Sequence, residues 1–510
     1  MLVGAGPGDP GLITRAGLEH LRAADVVVYD ALANPALLAE AHPNAELIDV
    51  GKRAGRHRLT QDQINDLLAE KARARGRVVR LKGGDPYLFG RGAEEVIALA
   101  RAGVACQVIP GVTSGIAAPA AAGIPVTHRA HASTVTFVTG HEDPAKTATR
   151  IDHAALARLI RASGTACFYM AMGRWDAIAK ALTDAGLSGD TPAAAVQWGT
   201  LPRQRSARAT LATLAETVAR AGLGPPAIVV VGDVAGIDDP ALQWFERRPL
   251  HGRTILVTRT RTQASELSRL LGELGAAAIE APTIELAPPA DASPLDDAVR
   301  ALRRGRYDWL VLTSANAVDA LAERMDAAGV DARALAAVEV AVVGEATGQA
   351  LRHRLAVRAD VAPATQTGAA LAEALIQRDA VAGRRLLLPR AGLAGRDLPE
   401  LLTRAGGQVE EVVAYETRRP ASLPAEAAAA LQAHEVDWVT FTSSSTARHF
   451  VELLGARRDE LLRGVRTASI GPSTSATMRE LGLAVDVQPP QAQVRALVEA
   501  IVQAEAARDP

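Results

Sequence analysis

Short β-branched runs alternate with amphipathic stretches along the whole chain, the pattern of an α/β protein. Val26-Val27-Val28-Tyr29 reads as a strand, Gln61 to Arg75 as a helix, and Arg77 to Leu81 as the next strand. That helix carries its own start signal, with Thr60 at the N-cap position and Gln63 three residues on to complete a capping box. The periodicity breaks between Gln243 and Gly252, where Trp244-Phe245-Glu246-Arg247-Arg248-Pro249 precedes a new strand from Thr254 to Thr258. The expected division is a first half over 1–245, a linker over 246–253 and a second half over 254–510.

The second half repeats itself. Gly252-Arg253-Thr254-Ile255-Leu256-Val257-Thr258-Arg259 resembles Gly383-Arg384-Arg385-Leu386-Leu387-Leu388-Pro389-Arg390, 131 residues later. Asp308-Trp309-Leu310-Val311-Leu312-Thr313-Ser314 matches Asp437-Trp438-Val439-Thr440-Phe441-Thr442-Ser443 at an offset of 129, and Val343-Gly344-Glu345-Ala346-Thr347 parallels Ile470-Gly471-Pro472-Ser473-Thr474 at 127. Three matches in one order at nearly one offset predict two similar α/β lobes. Each has a Thr-Ser pair closing one strand and a Gly-x-x-Thr turn after another. Ligands of such folds sit beyond the carboxyl ends of the strands, so Thr313, Ser314, Thr347, Ser443 and Thr474 are candidates to face one cleft. Helix capping is the competing role for each of them.

Length and composition narrow the function classes. One core stops growing at ~250–300 residues, so a chain of 510 is expected to form three or four lobes. With 48% hydrophobic and 22% charged residues the composition is that of a soluble protein, and its apolar runs are strand-length, so no membrane association is expected. Met1-Leu2-Val3 runs straight into a glycine loop with no leader pattern, which makes the cytoplasm the expected location. Cys106 and Cys167 sit in apolar runs without partner spacing and read as core residues. His128 and His131 have no third ligand at suitable spacing, so no metal is expected. A net charge of -1 and 3% aromatics exclude a globally basic nucleic-acid binder. A polyanion would need a local cluster of cations, and Lys52, Arg53, Arg56 and Arg58 with His57 form one; a solvated basic loop is the alternative reading.

The opening Gly4-Ala5-Gly6-Pro7-Gly8-Asp9 imitates a dinucleotide site, with Asp30 ending the next strand. A Rossmann fingerprint needs a third glycine at position 9, where Asp9 would instead repel a pyrophosphate. Nicotinamide-dependent oxidation is thereby disfavoured. The loop suits a ligand that presents an adenosine and an amino acid.

Further motifs follow in order: Tyr29-Asp30, Gly51-Lys52-Arg53-Ala54-Gly55, Arg80-Leu81-Lys82-Gly83-Gly84-Asp85-Pro86, Phe89-Gly90-Arg91-Gly92, Pro110-Gly111-Val112-Thr113-Ser114, Gly123-Ile124-Pro125-Val126-Thr127-His128-Arg129 and Thr139-Gly140-His141. With Phe168-Tyr169-Met170, Gly199-Thr200 and Trp244-Phe245, they make the first half resemble the uroporphyrinogen-III C-methyltransferases of the tetrapyrrole methylase family. The resemblance implies a two-lobed tetrapyrrole-methylase fold that binds S-adenosylmethionine against Pro7, Gly83, Gly84, Asp85, Leu88, Thr113, Ser114, Met170 and Gly199, and methylates uroporphyrinogen III twice to give precorrin-2. It further implies that Asp30 and Lys52 act as proton acceptor and donor, and that Arg53, Arg91, Glu94, Arg129 and His141 face substrate. A substrate with eight carboxylates fits the cations of this set. By residue chemistry, both Asp30 and Arg91 stand as candidate bases, since methyl attack on a pyrrole carbon must be followed by proton loss. Family members have several residues before the first strand, within which this chain begins, and commonly have glycine where Ala171-Met172 stand. They resemble dimers, which implies a homodimer through this half.

In the second half, Val257-Thr258-Arg259, Leu312-Thr313-Ser314, Val343 to Thr347, Val413-Ala414-Tyr415-Glu416-Thr417 and Ile470 to Thr474 resemble uroporphyrinogen-III synthase. That implies a two-lobed, flavodoxin-like α/β fold, one lobe built from the start and end of the segment and the other from its middle, which closes hydroxymethylbilane into uroporphyrinogen III without a cofactor. Tyr415 breaks the repeat, since the offset of 131 sets it against Ile284; a catalytic role and a half-buried strand tyrosine both fit. The product of the second half would be the substrate of the first, on the way to sirohaem, cobalamin or another modified tetrapyrrole. The rival reading is a methylase of a later corrinoid intermediate with a non-catalytic tetrapyrrole-binding second half.

Overall fold

A computed structural model of the protein describes residues 1–51, 59–74, 76–141, 150–259, 261–392 and 395–508. Packing divides the chain into one unit of Met1–Ile255, Arg269–Ala278 and Val498–Pro510 and another of Leu256–Ser268 and Ile279–Leu497.

The first half opens with a parallel sheet of β1 (Leu2–Gly4), β2 (Val26–Tyr29), β3 (Glu46–Asp49), β4 (Val78–Lys82) and β5 (Val108–Ile109), in the order β3-β2-β4-β1-β5. Successive β2 residues feed opposite faces. Val27 joins Val3, Leu21 and Leu81 in one core, while Val26 and Val28 join Leu2, Ile64, Leu68 and Leu99 in another. Burial on both faces is why the strand reads as a continuous apolar run. The helix Gln61–Ala74 starts where the sequence predicts, with the Gln63 N–H donating to Thr60 Oγ1 at 3.3 Å and the Thr60 N–H to Gln63 Oε1 at 2.8 Å. Because β4 inserts between β2 and β1, the order differs from the Rossmann 3-2-1-4-5-6 and sets the loop after β4 directly beside the loop after β1.

A second, mixed sheet contains β6 (Thr134–Thr139), β7 (Gly164–Tyr169), β8 (Pro192–Gln197), β9 (Arg205–Thr210) and β10 (Ala227–Val231), in the order β6-β7-β10-β8-β9. Alternation again separates two cores, Phe168 and Val229 packing on one face and Cys167, Tyr169 and Val230 on the other. Residues 246–253 form turns within the first unit. Leu250 there is fully buried and donates its N–H to Leu274 O at 2.9 Å, and Arg248 stacks 3.8 Å above the Phe245 ring.

The second half adds β11 (Thr254–Val257), β12 (Ala277–Glu280), β13 (Glu285–Ala287), β14 (Trp309–Leu312), β15 (Glu339–Val342), β16 (Arg385–Ala391), β17 (Gln408–Arg418), β18 (Trp438–Phe441) and β19 (Arg466–Ser469). They make two sheets, β12-β11-β18-β19 and β13-β17-β16-β14-β15. The three repeats found in sequence fall on β11 and β16, β14 and β18, and β15 and β19, which occupy the same places in the two sheets. One lobe therefore draws on the start and end of the segment and the other on its middle. Even a backbone lock recurs: Asp360 accepts the Val340 N–H at 2.8 Å and Asp486 the Thr467 N–H at 2.7 Å.

Candidate functional site

Three glycine backbones meet at the carboxyl ends of β1 and β4. Gly84 donates its N–H to Gly6 O at 2.8 Å, and the Gly6 N–H returns a bond to Gly84 O at 3.3 Å. A Cβ on Gly111 would lie 2.2 Å from Gly84 O and 2.8 Å from Gly4 Cα, so no side chain fits there. Asp85 secures the junction by accepting the Gly111 N–H at 3.0 Å and the Tyr87 N–H at 2.8 Å. Gly84 has φ +67° and open space where a Cβ would stand, which leaves its backbone accessible to a ligand.

The two sheets of the first half join at this point. A Cβ on Gly8 would come within 3.2 Å of Gly199 O, and the Asp9 N–H donates to Thr200 Oγ1 at 3.0 Å. The Asp9 carboxylate accepts the Gly11 N–H at 2.8 Å and caps the short turn Pro10–Leu12. Tyr169, at the end of β7, shares a 2.6 Å hydrogen bond with Thr113 Oγ1 and accepts the Gly115 N–H at 2.7 Å. Burial raises the pKa of its hydroxyl, against the opposing pull of those two bonds. Phe89 packs 5.0 Å from the Tyr169 ring. Phe89, Met170, Trp198 and Thr200 all have left-handed backbones without being glycine, and Met170 leaves 52% of its surface exposed. Such conformations cost about 1–3 kcal/mol each and gather where function requires them.

Of the residues expected at this site, Pro7, Gly83, Gly84, Asp85, Leu88, Thr113, Ser114, Met170 and Gly199 lie on these meeting loops, Thr113 buried and Pro7, Leu88 and Ser114 half-buried. Arg91 has a left-handed backbone at the start of helix Gly92–Arg101, and its guanidinium clasps Glu94 at 3.0 and 2.6 Å. Arg129 and His141 are exposed on loops before and after β6. Lys52 and Arg53 lie outside the described residues, as does the rest of the basic cluster.

Asp30 sits just beyond β2 with its carboxylate partly exposed, and Arg80 Nη2 reaches its Oδ1 at 2.5 Å. Arg80 is buried and also contacts Glu95 Oε1 at 3.4 Å. Glu95, fully buried, receives the Lys82 ammonium at 2.9 Å on the same oxygen and Gln61 Nε2 at 3.2 Å. Its Oε2 has no hydrogen-bond partner among the described residues. Burial, then the neighbouring Arg80, lowers the pKa of Lys82, with Glu95 and Asp30 acting in the opposite direction. Sequence reasoning did not single out Arg80 or Glu95. The available signal was two cations on alternate positions of an otherwise apolar strand, Val78-Val79-Arg80-Leu81-Lys82.

In the second half, Ser314 caps helix Ala315–Ala327 and lies 3.2 Å from the Tyr415 hydroxyl. Ser443 caps Ser444–Leu454 through a capping box with Thr446. Thr347 and Thr474 are buried in the first turns of their helices. Thr313 opens onto a cavity of about 350 Å³ shared with Val343, Thr367, Arg390 and Asp397. Arg390 is buried and paired with Glu411 at 2.5 Å. The register between β16 and β17 slips where Ala391 faces Tyr415, a bulge that turns the tyrosine toward Ser314.

Residues 1–215 match the family of tetrapyrrole (corrin/porphyrin) methylases, and residues 265–499 match the family described as uroporphyrinogen-III synthase HemD. The porphyrin biosynthesis protein HemD of Ruminiclostridium josui is 35% identical over 94% of this chain and 93% of its own length. The chain belongs to the fused methylase–synthase family. Over the methylase half alone, the uroporphyrinogen-III C-methyltransferase of Synechocystis sp. is 51% identical across 46% of this chain and 88% of its own length. The S-adenosyl-L-methionine-dependent uroporphyrinogen III methyltransferase of Methanosarcina barkeri is 46% identical across 47% of this chain and 92% of its own.

The protein is thus a bifunctional enzyme of tetrapyrrole biosynthesis. Its methylase half offers backbone and strained loops for a ligand beside a carboxylate anchored in buried charge, whereas its synthase half offers hydroxyls. Among the described residues, no group of His, Cys, Asp and Glu could hold a metal ion, and no helix is long and apolar enough to cross a membrane.

Proposed function

We propose that the methylase half transfers two methyl groups from S-adenosylmethionine to uroporphyrinogen III, giving precorrin-2, and that the synthase half makes that substrate from hydroxymethylbilane. The observation that carries the reading is the glycine junction of Gly4, Gly84 and Gly111 with Gly8 packed against Gly199, which joins the candidate cofactor loops of both sheets. Its open backbone at Gly84 and exposed Met170 suit a donor with amino-acid and adenosine parts. When bound, the donor supplies a methyl group activated by its sulfonium. The protein's tasks are to align the methyl carbon with the pyrrole carbon it joins and to take up the proton that the macrocycle releases after attack.

Asp30 is the better acceptor of that proton. Arg91 is committed to a bidentate bond with Glu94, and a guanidinium stays charged in proteins, so it suits a substrate carboxylate instead. Lys52, Arg53 and Arg129 supply further cations for the substrate's carboxylates. In the synthase half, Thr313, Ser314, Thr347, Ser443 and Thr474 mark the strand ends where hydroxyls and helix N-termini would hold the folded bilane, with Tyr415 beside its reacting end.

The test is anaerobic incubation of the full chain with hydroxymethylbilane and S-adenosylmethionine, followed by mass and isomer analysis. A dimethylated type III product is expected. Type III uroporphyrinogen without added methyl groups would overturn the methylase assignment, and methylated type I product alone would overturn that of the synthase.

A further inference from the structure

The charge network under Asp30 is larger than folding of a parallel sheet requires. Two cations on one face of β4, Arg80 and Lys82, share a single oxygen of a fully buried glutamate, and only one member of the group, Asp30, reaches the surface. Burying two cations and a carboxylate is costly, and apolar residues of similar volume would fill a strand face at least as well. What they accomplish is geometric. Arg80 is fixed at Nε by Glu95 and lies near the carbonyl oxygens of Val28 and Leu81 through Nη1, which leaves Nη2 directed at Asp30 Oδ1. A planar fork held at two points cannot swing, so the carboxylate it grips is held in one place.

We propose that Arg80 is a positioning residue for methyl transfer, anchored by Glu95, and that it acts by holding the Asp30 carboxylate where the macrocycle releases its proton. This rests on Asp30 being the proton acceptor. The attacked pyrrole carbon already carries a carboxylate side chain and becomes quaternary, so the proton leaves from a neighbouring bridging methylene. The electron pair of that C–H bond neutralises the cationic ring, and Asp30 becomes a carboxylic acid still hydrogen-bonded to Arg80. The network supplies orientation and takes no proton itself.

Replacing Arg80 by an apolar residue would remove one of the two cations beside the buried Glu95 and threaten folding, so the test uses Arg80→Lys, which keeps the buried charge but not the fork. Arg80→Lys, Asp30→Asn and the double variant are compared in the full chain, with thermal unfolding and S-adenosylmethionine binding measured alongside. Arg80→Lys is expected to lower kcat by about 10- to 100-fold while KM for uroporphyrinogen III and cofactor affinity stay within about twofold. The double variant should be no slower than Asp30→Asn, because Arg80 acts through Asp30. Wild-type kcat in Arg80→Lys, or losses that multiply in the double variant, would overturn the positioning role while leaving Asp30 as acceptor. Wild-type kcat in Asp30→Asn would overturn the acceptor reading and the positioning role with it.

Discussion

The methylase half builds its candidate site from backbone, the synthase half from side chains that also cap helices. In the first, Gly4, Gly84 and Gly111 approach so closely that their α-carbons are part of the packing, and nearby loops hold Met170, Trp198 and Thr200 in left-handed conformations. In the second, Ser314 and Ser443 begin helices after equivalent strands in ordinary extended conformations. A site made of close backbone contacts accepts almost no substitution and leaves a string of fixed motifs in the sequence. Hydroxyls at helix starts can be exchanged among Ser, Thr, Asp and Asn with little cost to folding, so the same architecture leaves a faint trace.

Substitution at the glycine junction should separate the halves most sharply. Gly111→Ala drives a methyl group into the backbone of Gly84 and Gly4, neither of which is a flexible side-chain tip. Overpacking of this kind costs about 3 kcal/mol. Loss of cofactor binding and of methylation is expected while hydroxymethylbilane is still cyclised; an active Gly111→Ala methylase would mean that the junction can open. Tyr169→Phe should have the next largest effect. It leaves Thr113 Oγ1 and the Gly115 N–H without their shared partner in a buried place, for about 1–3 kcal/mol. A lower unfolding temperature for the methylase half and weaker S-adenosylmethionine binding would follow, and a Thr113→Val background should remove part of the difference.

How much of this could be read beforehand follows the same division. The capping box at Thr60 and Gln63 is local and stands where the sequence puts it. The glycine motifs are visible as motifs, yet the reason they are glycines is not, because it depends on β4 lying next to β1, against chain order. Arg80 and Glu95 are 15 residues apart on a strand and a helix, and only their packing reveals one network. In the synthase half, three repeated segments were enough to recover the equivalence of the lobes. The fourth pair, β12 and β17, went unread because Ala277–Glu280 and Gln408–Arg418 share no residue pattern and differ in length. The extra length of β17 carries Tyr415 and pairs with β13, which is why the tyrosine has no counterpart in the other lobe.

Smaller effects test whether the synthase lobes are as interchangeable as their sheets. Ser314→Ala removes a helix cap worth about 1 kcal/mol, and Ser443→Ala should cost about the same. If only capping matters, the two variants will cyclise hydroxymethylbilane equally well. A larger loss of cyclisation in Ser314→Ala, matched by Tyr415→Phe, would assign the difference to the 3.2 Å contact between their hydroxyls, which the other lobe lacks.

The smallest expected effect lies at Asp308, which precedes β14. Its carboxylate accepts the Arg385 N–H at 2.8 Å and the Arg384 guanidinium at 3.1 Å, and the backbone bond is the main cause of its lowered pKa. A carboxyl group whose pKa is depressed on folding stabilises the protein above its unfolded value, here 3.8, and that contribution disappears as the pH falls through the lower folded value. The Asp308 side chain is 38% exposed and its Arg384 partner more so, so the gain is screened by solvent. Asp308→Asn should therefore unfold slightly earlier than the parent at neutral pH and with the same midpoint once the pH is well below 3.8. A difference between the two that persisted in acid would mean that Asp308 contributes through shape at the start of β14, because protonation would already have removed its charge.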